Sequence, residues 1–168
     1  MDVEAKTAVI TGAGQEVGRR MAIALAERGA NVGLLDRDAE HLTETAAACR
    51  WAGVRVAVAL GDSGDARSRD AGLATIERHL GPVDILVDCD RALVAGRRGV
   101  HLTCNRHTGA GQGDTRTVVT IAPGTKRGAA ISADDVVEAA IWLIDRPSHL
   151  WIDGIDLQSR PSTMTGAA

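Results

Sequence analysis

The stretch Thr7-Ala-Val-Ile-Thr11-Gly12-Ala-Gly14-Gln-Glu16-Val17-Gly18 decides the fold. Thr7 to Thr11 is a β-branched and apolar run stopped by Gly12, the pattern of a buried parallel strand that ends in a tight turn. Beyond the turn, Val17, Met21, Ile23 and Leu25 recur at helical spacing until Gly29 ends the segment. Asn31 to Leu35 then reads as a second buried strand, with Asp36 at its carboxyl end. Strand, glycine turn, helix, strand and terminal acid follow one another in a single unit.

The rest of the chain repeats the alternation. A helix carries Leu42, Ala46 and Cys49 on one face, and Val54 to Leu60 makes a third strand. Asp65 to Leu80 places Leu73, Ile76 and Leu80 at helical spacing before Gly81-Pro82, and Val83 to Val87 is a fourth strand. From Asp88 to Arg116 the pattern fails, and only Ala92 to Ala95 and Val100 to Thr103 read as helical fragments. Strand Thr117 to Ala122 precedes a Pro123-Gly124 stop. Ser132 with Asp135 forms a capping box opening a helix whose apolar face includes Val136, Val137, Ala140, Ile141 and Ile144. A short last strand is expected near Trp151 to Leu157, and Ser159 to Ala168 has the composition of a tail. The expected architecture is one α/β domain over residues 1–158, a Rossmann-like doubly wound parallel sheet in three α/β/α layers, irregular over 88–116. Thr108 to Gln112 repeats Thr11 to Gln15 letter for letter, but without a preceding strand and following helix it reads as a loop.

Composition narrows the partners. The 168 residues suit one domain. A formal net charge of −3, with both signs scattered, gives no basic stripe for nucleic acid. No apolar run reaches the length of a membrane span, and the acidic amino terminus has no targeting character, so a cytoplasmic protein is expected. Cys49, Cys89 and Cys104 have neither zinc spacing nor the look of a disulfide framework, and the histidines lack metal-ligand spacing; no metal is expected. The sequence contains no tyrosine and no phenylalanine, and Trp51, Trp142 and Trp151 are its only aromatic residues.

The turn carries chemistry. Glycines at 12, 14 and 18 allow the backbone to approach a pyrophosphate, the following helix amino terminus favours its charge, and Asp36 can accept from ribose hydroxyls. In this ordered set the sequence resembles the short-chain dehydrogenase/reductase family. Thr11, Gly12 and Gly18 match its opening T-G-x-x-x-G-x-G, while Glu16 departs from it. Asp36 matches the family's NAD-selecting acid, and Asp62 resembles the Asp that contacts adenine. Leu80 to Val87 looks like the approach to its fourth strand, and Val118 to Gly124 resembles its V-N-x-V-x-P-G strand. Ala133 to Ala139 and Ile152 to Gly154 resemble its penultimate helix and the start of its last strand. The resemblance implies an NAD(H) site formed by Thr11, Gly12, Gly14, Glu16, Val17, Gly18, Asp36 and Asp62.

The departures fall where the family does its chemistry. Asp88-Cys-Asp-Arg91 stands where the family has N-N-A-G, and its Ser and Y-x-x-x-K segments have no counterpart between Asp88 and Arg116. Substitute acids or bases are Asp88, Cys89, Asp90, His101 and Lys126, of which Asp90, His101 and Lys126 are the catalytic candidates. Glu16 bears on the cofactor: a carboxylate about 4 Å from a phosphate repels by roughly 4 kcal/mol at an effective dielectric near 20, about a thousandfold in affinity. Turned outward in the helix's first turn, the same charge is favourable. NAD(H) is therefore either bound, with some weakening, or blocked by Glu16. Three functions remain open: an NAD(H)-binding or partner protein without ordinary dehydrogenase chemistry; a repurposed isomerase, dehydratase or cyclase using acid/base chemistry; and an NAD-dependent oxidoreductase with another proton donor. The expected partners are a small molecule or a partner protein, with a homodimer through the carboxyl-terminal helix and strand.

Overall fold

The computed structural model describes residues 3–89, 99–108, 115–123, 131–146, 152 and 154–158. Strand β1 (Thr7–Thr11) is buried along its whole length and leads through the glycine turn into α1 (Glu16–Glu27). Then come β2 (Asn31–Asp36), α2 (Ala39–Arg50), β3 (Val56–Leu60), α3 (Ala66–Leu80) and β4 (Ile85–Asp88). The second half comprises β5 (Gly99–Thr108), β6 (Thr115–Pro123), α4 (Ala133–Asp145) and β7 (Gly154–Gln158). The seven strands form one sheet in the order β3-β2-β1-β4-β6-β5-β7.

Strands β1 to β4 and β6 are mutually parallel, which confirms the α/β, Rossmann-like architecture. Strand β5 runs antiparallel to both of its neighbours, β6 and β7. Val100 to Thr103 is therefore not a helical fragment. It lies inside a ten-residue strand, where Val100, Leu102 and Cys104 alternate with His101, Thr103 and Asn105 and the backbone pairs with β6 from Val100 to Thr108. The apolar period is two, and satisfaction of backbone groups on both sides of the upper half of the strand outweighs the interrupting polar residues. Thr108 ends β5; the remainder of the second Thr-Gly-Ala-Gly-Gln copy, Ala92 to Ala95, Trp151 and the tail lie outside the described residues.

Two cores flank the sheet. On one face α1, α2 and α4 bury Met21, Leu25, Leu42, Val136, Ala140 and Ile144 against Ile10, Leu34, Leu102 and Ile121. On the other, α3 packs Ile76 and Leu80 against Val9, Leu35 and Ala59. Each fully buried Leu, Ile or Met contributes about 1.5–3 kcal/mol through apolar burial, so these layers hold the strand ends in place. The three layers are thus present over the first four strands. No helix among the described residues is long and apolar enough to cross a membrane.

Candidate functional site

Strand order locates the crevice. The chain goes outward from β1 to β2 and β3, then returns to place β4 on the other side of β1. Such a reversal opens a cleft beyond the carboxyl ends of the two strands where ligands of open α/β sheets bind. Thr11 ends β1 and Asp88 ends β4 at this reversal, and Asp36 ends β2 on the other side of β1.

The glycine turn is built tightly. Gly12 has φ +64°, a conformation that costs a residue with a Cβ but not glycine. A Cβ on Gly18 would lie 2.1 Å from the Gly12 carbonyl oxygen. The turn and the first turn of α1 are therefore in backbone contact, which only glycine at position 18 permits. A Cβ on Gly14 would lie 2.9 Å from the His41 Cβ and 3.1 Å from Asp36 Oδ2, so this glycine too fills a space with no room for a side chain. The Ala13 amide donates to the Leu35 carbonyl at 3.3 Å, and the buried Thr45 hydroxyl donates to the Ala13 carbonyl at 3.0 Å. The turn is pinned from both β2 and α2.

Asp36 is 4% exposed. Its carboxylate accepts the Gly14 amide at 2.9 Å and the Asp38 amide at 3.1 Å, which uses two of its roughly four acceptor positions. Asp62 is exposed, accepts the Gly64 amide at 2.8 Å through its own side chain, and follows Gly61, whose amide donates to the Asp36 carbonyl at 2.9 Å. Both acids thus stand on the β2–β3 side of the turn. Val17 is 2% exposed and belongs to the core; only its backbone is placed to serve a ligand.

Glu16 takes the outward course. Its side chain is 67% exposed, with Oε1 3.8 Å from Arg20 Nη2 one helical turn on. Helix α1 also differs from its fellows in capping: α2, α3 and α4 are capped by the side chains of Asp38, Asp65 and Ser132, whereas Gln15 at the start of α1 makes no side-chain cap bond. First-turn N–H donors and a positive dipole end face the crevice, the arrangement that binds a pyrophosphate. The tight glycine cradle and this amino terminus fit a dinucleotide.

Several participants were invisible in the sequence. Asp38 caps α2 through the Glu40 and His41 amides, and His41 Nδ1 lies 3.0 Å from its carboxylate. The His41 amide holds the Asp38 carboxyl below its ordinary value against an opposing effect of desolvation, with lesser help from the His41 charge and the Glu40 amide. By spacing Asp38 is an ordinary helix cap and Thr45 a mid-helix threonine, and nothing in a linear reading points them at the turn.

On the other side of the crevice, the Thr11 hydroxyl donates to Asp88 Oδ1 at 3.0 Å. Cys89 follows at 2% exposure. His101 lies in β5, in register with Ala122 of β6 and Asp156 of β7. Asp90 and Lys126 lie outside the described residues. Among the described residues no group of three or more His, Cys, Asp or Glu is placed to hold a metal ion.

Comparison with known proteins agrees with this geometry. A family model described as short chain dehydrogenase matches residues 6–98, more than half of the chain. The chain is 35% identical over 94 residues to 2,3-dihydro-2,3-dihydroxybenzoate dehydrogenase of Bacillus subtilis (strain 168), covering 56% of this chain and 36% of that protein. It is 37% identical over 81 residues to gluconate 5-dehydrogenase of Gluconobacter oxydans (strain 621H), covering 48% and 32% respectively. The chain thus spans about a third of the length of these curated relatives. Among solved structures, a Sinorhizobium meliloti 1021 protein assigned as a short-chain alcohol dehydrogenase superposes with a TM-score of 0.51 at 33% identity, over 58% of this chain and 38% of that one. NAD+-bound xylitol dehydrogenase superposes with a TM-score of 0.50 at 29% identity, over 52% and 34%.

Proposed function

Because the chain belongs to the short-chain dehydrogenase family, we propose that it binds NAD(H) in the crevice between β1 and β4 and works as a binding or partner protein rather than as an ordinary alcohol or ketone dehydrogenase. The observation that carries the first half is the Gly12–Gly18 contact, a backbone cradle at an amino terminus without a side-chain cap. Asp36, buried beside Gly14, supplies acceptors for ribose hydroxyls and disfavours a further phosphate there, which selects NAD over its phosphorylated form. The second half rests on the sequence: the family's proton donor is a tyrosine made acidic by a lysine, and these 168 residues contain no tyrosine.

Thr11, Gly12, Gly14, Val17 and Gly18 would present backbone to the pyrophosphate, with Asp36 and Asp62 toward the adenosine half. Bound there, the nicotinamide would supply hydride chemistry. Glu16 weakens this site rather than blocking it, because its carboxylate lies out along α1 near Arg20. Calorimetric titration with NAD+ and NADH tests the reading. Dissociation constants below about 100 μM are expected, changing by no more than about threefold in Glu16→Gly. No binding by either protein overturns the nucleotide reading, and binding by Glu16→Gly alone restores the blocked site.

A second copy of the chain is the partner we propose, through α4 and β7. Trp142 is 56% exposed on α4, on the side away from the buried Val136, Ala140 and Ile144, and large aromatic anchors favour such contacts. Sedimentation equilibrium of wild type and Trp142→Ala tests it, a strict monomer at high concentration being the contrary result. One observation favours a second reading, acid/base catalysis without cofactor: the register of β5 and β7 brings His101 opposite Asp156. A third, NAD-dependent oxidation with another proton donor, predicts NADH turnover by the isolated protein.

A further inference from the structure

The reversal point of the sheet carries a charge. Thr11 of β1 is in register with Asp88 of β4, and Asp88 with Thr120 of β6, so the three residues form one row on the α3 side of the sheet at its carboxyl edge. Thr11 is 1% exposed and donates its hydroxyl to Asp88 Oδ1, which fixes the carboxylate's position. Asp88 and Thr120 are half-buried at this edge of the sheet. The two acids suited to the adenosine half, Asp36 and Asp62, lie across β1 on the β2–β3 side, and the phosphate-binding helix end follows β1 itself. A dinucleotide laid over that helix end with its adenosine toward β2 must direct its other half over β4, toward Asp88.

We propose that Asp88 sets the preference of the site between the two redox forms of the cofactor, favouring the oxidised one. The inference rests on NAD(H) binding at this crevice. The pyridinium ring of NAD+ carries a positive charge that the dihydropyridine of NADH lacks, and the remainder of the two molecules is alike. A fixed carboxylate on the nicotinamide side therefore attracts one form selectively, whereas Asp36 and Asp62 on the far side act nearly equally on both. At a separation on the order of 10 Å and an effective dielectric near 20, the attraction amounts to roughly tenfold in affinity. An asparagine at this position would keep the shape and a hydrogen bond to Thr11 but discard the charge. Asp88 is thus a specificity-determining residue and makes the chain a receptor for the oxidised cofactor.

The test is calorimetric titration of wild type and Asp88→Asn with NAD+ and with NADH. Wild type is expected to favour NAD+ on the order of tenfold, and Asp88→Asn to bring the ratio close to one, chiefly by weakening NAD+. Equal ratios in the two proteins, with both forms binding, overturn the inference while leaving the nucleotide site standing. Binding of neither form by wild type overturns both. Should Asp88→Asn not fold, the wild type alone decides: its preference must shrink as salt rises toward about 1 M, where charges are screened within about 3 Å, and a ratio unaffected by salt overturns the charge as its source.

Discussion

Gly18→Ala sets two physical effects against each other. Position 18 lies in the first turn of α1, where alanine is a better helix former than glycine by about 1 kcal/mol, so local propensity alone predicts a more stable protein. The contact predicts the reverse. A Cβ there would stand 2.1 Å from the Gly12 oxygen, 2.7 Å from the Gly12 carbonyl carbon and 3.1 Å from the Ala13 Cα, all backbone atoms. Carbon and oxygen approach to about 3.3 Å even in favourable contacts, so the turn or the helix must retreat by about 1 Å. Neither moves freely, because the Leu35 carbonyl and Thr45 hydroxyl hold Ala13 while Met21, Ala22 and Leu25 bury α1. Overpacking of this kind costs about 1–3 kcal/mol, and more where backbone must shift. The balance is a loss of about 2 kcal/mol, or about 4–8 °C in Tm for a chain of this size. Thermal melting followed by circular dichroism reads it, with Gly72→Ala as control: there the nearest atom to an added Cβ is a Leu35 methyl at 2.7 Å, the end of a side chain that can rotate. A Gly18→Ala protein melting at or above wild type would refute the reasoning that the turn is a tight backbone cradle.

Three further outcomes follow from the same structure. Gly33→Ala in β2 would place a Cβ 2.4 Å from Ile76 Cγ2, a buried branch of α3, so it is expected to lower Tm by several degrees even though a strand tolerates alanine; an unchanged melt would mean that α3 can lift off the sheet. Burial pushes the Cys49 thiol up to about 11, so native protein at pH 8 should leave Cys49 unalkylated while unfolded protein reacts, as mass spectrometry of the labelled peptide would show. The Ser132 hydroxyl, with the Ser132 amide, holds the Asp135 carboxyl below its ordinary value of 3.8. A depressed carboxyl stabilises the fold fully above its unfolded value and loses that contribution as pH falls through its folded value; Ser132→Ala should raise the Asp135 value toward 3.8 by NMR titration and flatten acid destabilisation in this window.

How much of this was legible in sequence depends on whether a signal is local. The β1–turn–α1–β2 unit was, because Gly12, Gly14 and Gly18 punctuate one continuous pattern, and the Ser132–Asp135 capping box forms both of its expected bonds. Strand β5 was not. Val-His-Leu-Thr-Cys-Asn-Arg-His alternates weakly, and its extended state is decided by partners at positions 115–123 and 154–158 that no window contains. The site divides likewise: Asp36 was visible at a strand end, whereas Thr45 beneath the turn and the Thr11–Asp88 bond exist only because distant elements come into register.

On the proposed reading, the placement of β5 separates binding from chemistry. In a sheet of parallel strands each added neighbour needs a crossover, usually a helix that covers a face. Here β6 sits directly against β4, and β5 is added to β6 by antiparallel pairing, which joins neighbours without a crossover helix between them. The family match runs over residues 6–98 and so covers β1 to β4, ending at the boundary of β5. The residues proposed to cradle a dinucleotide lie in the matched part, on β1, β2 and the start of α1; beyond β4, strand β5 pairs antiparallel with both of its neighbours. A protein built in this way can keep the cofactor's recognition while its reactive side answers to different residues, and Asp88 stands at the junction, its hydroxyl partner on β1 and its other neighbour on β6. Substitutions on the β1–β2 side should then change affinity for both redox forms together, whereas those at the β4–β6 side should change their ratio.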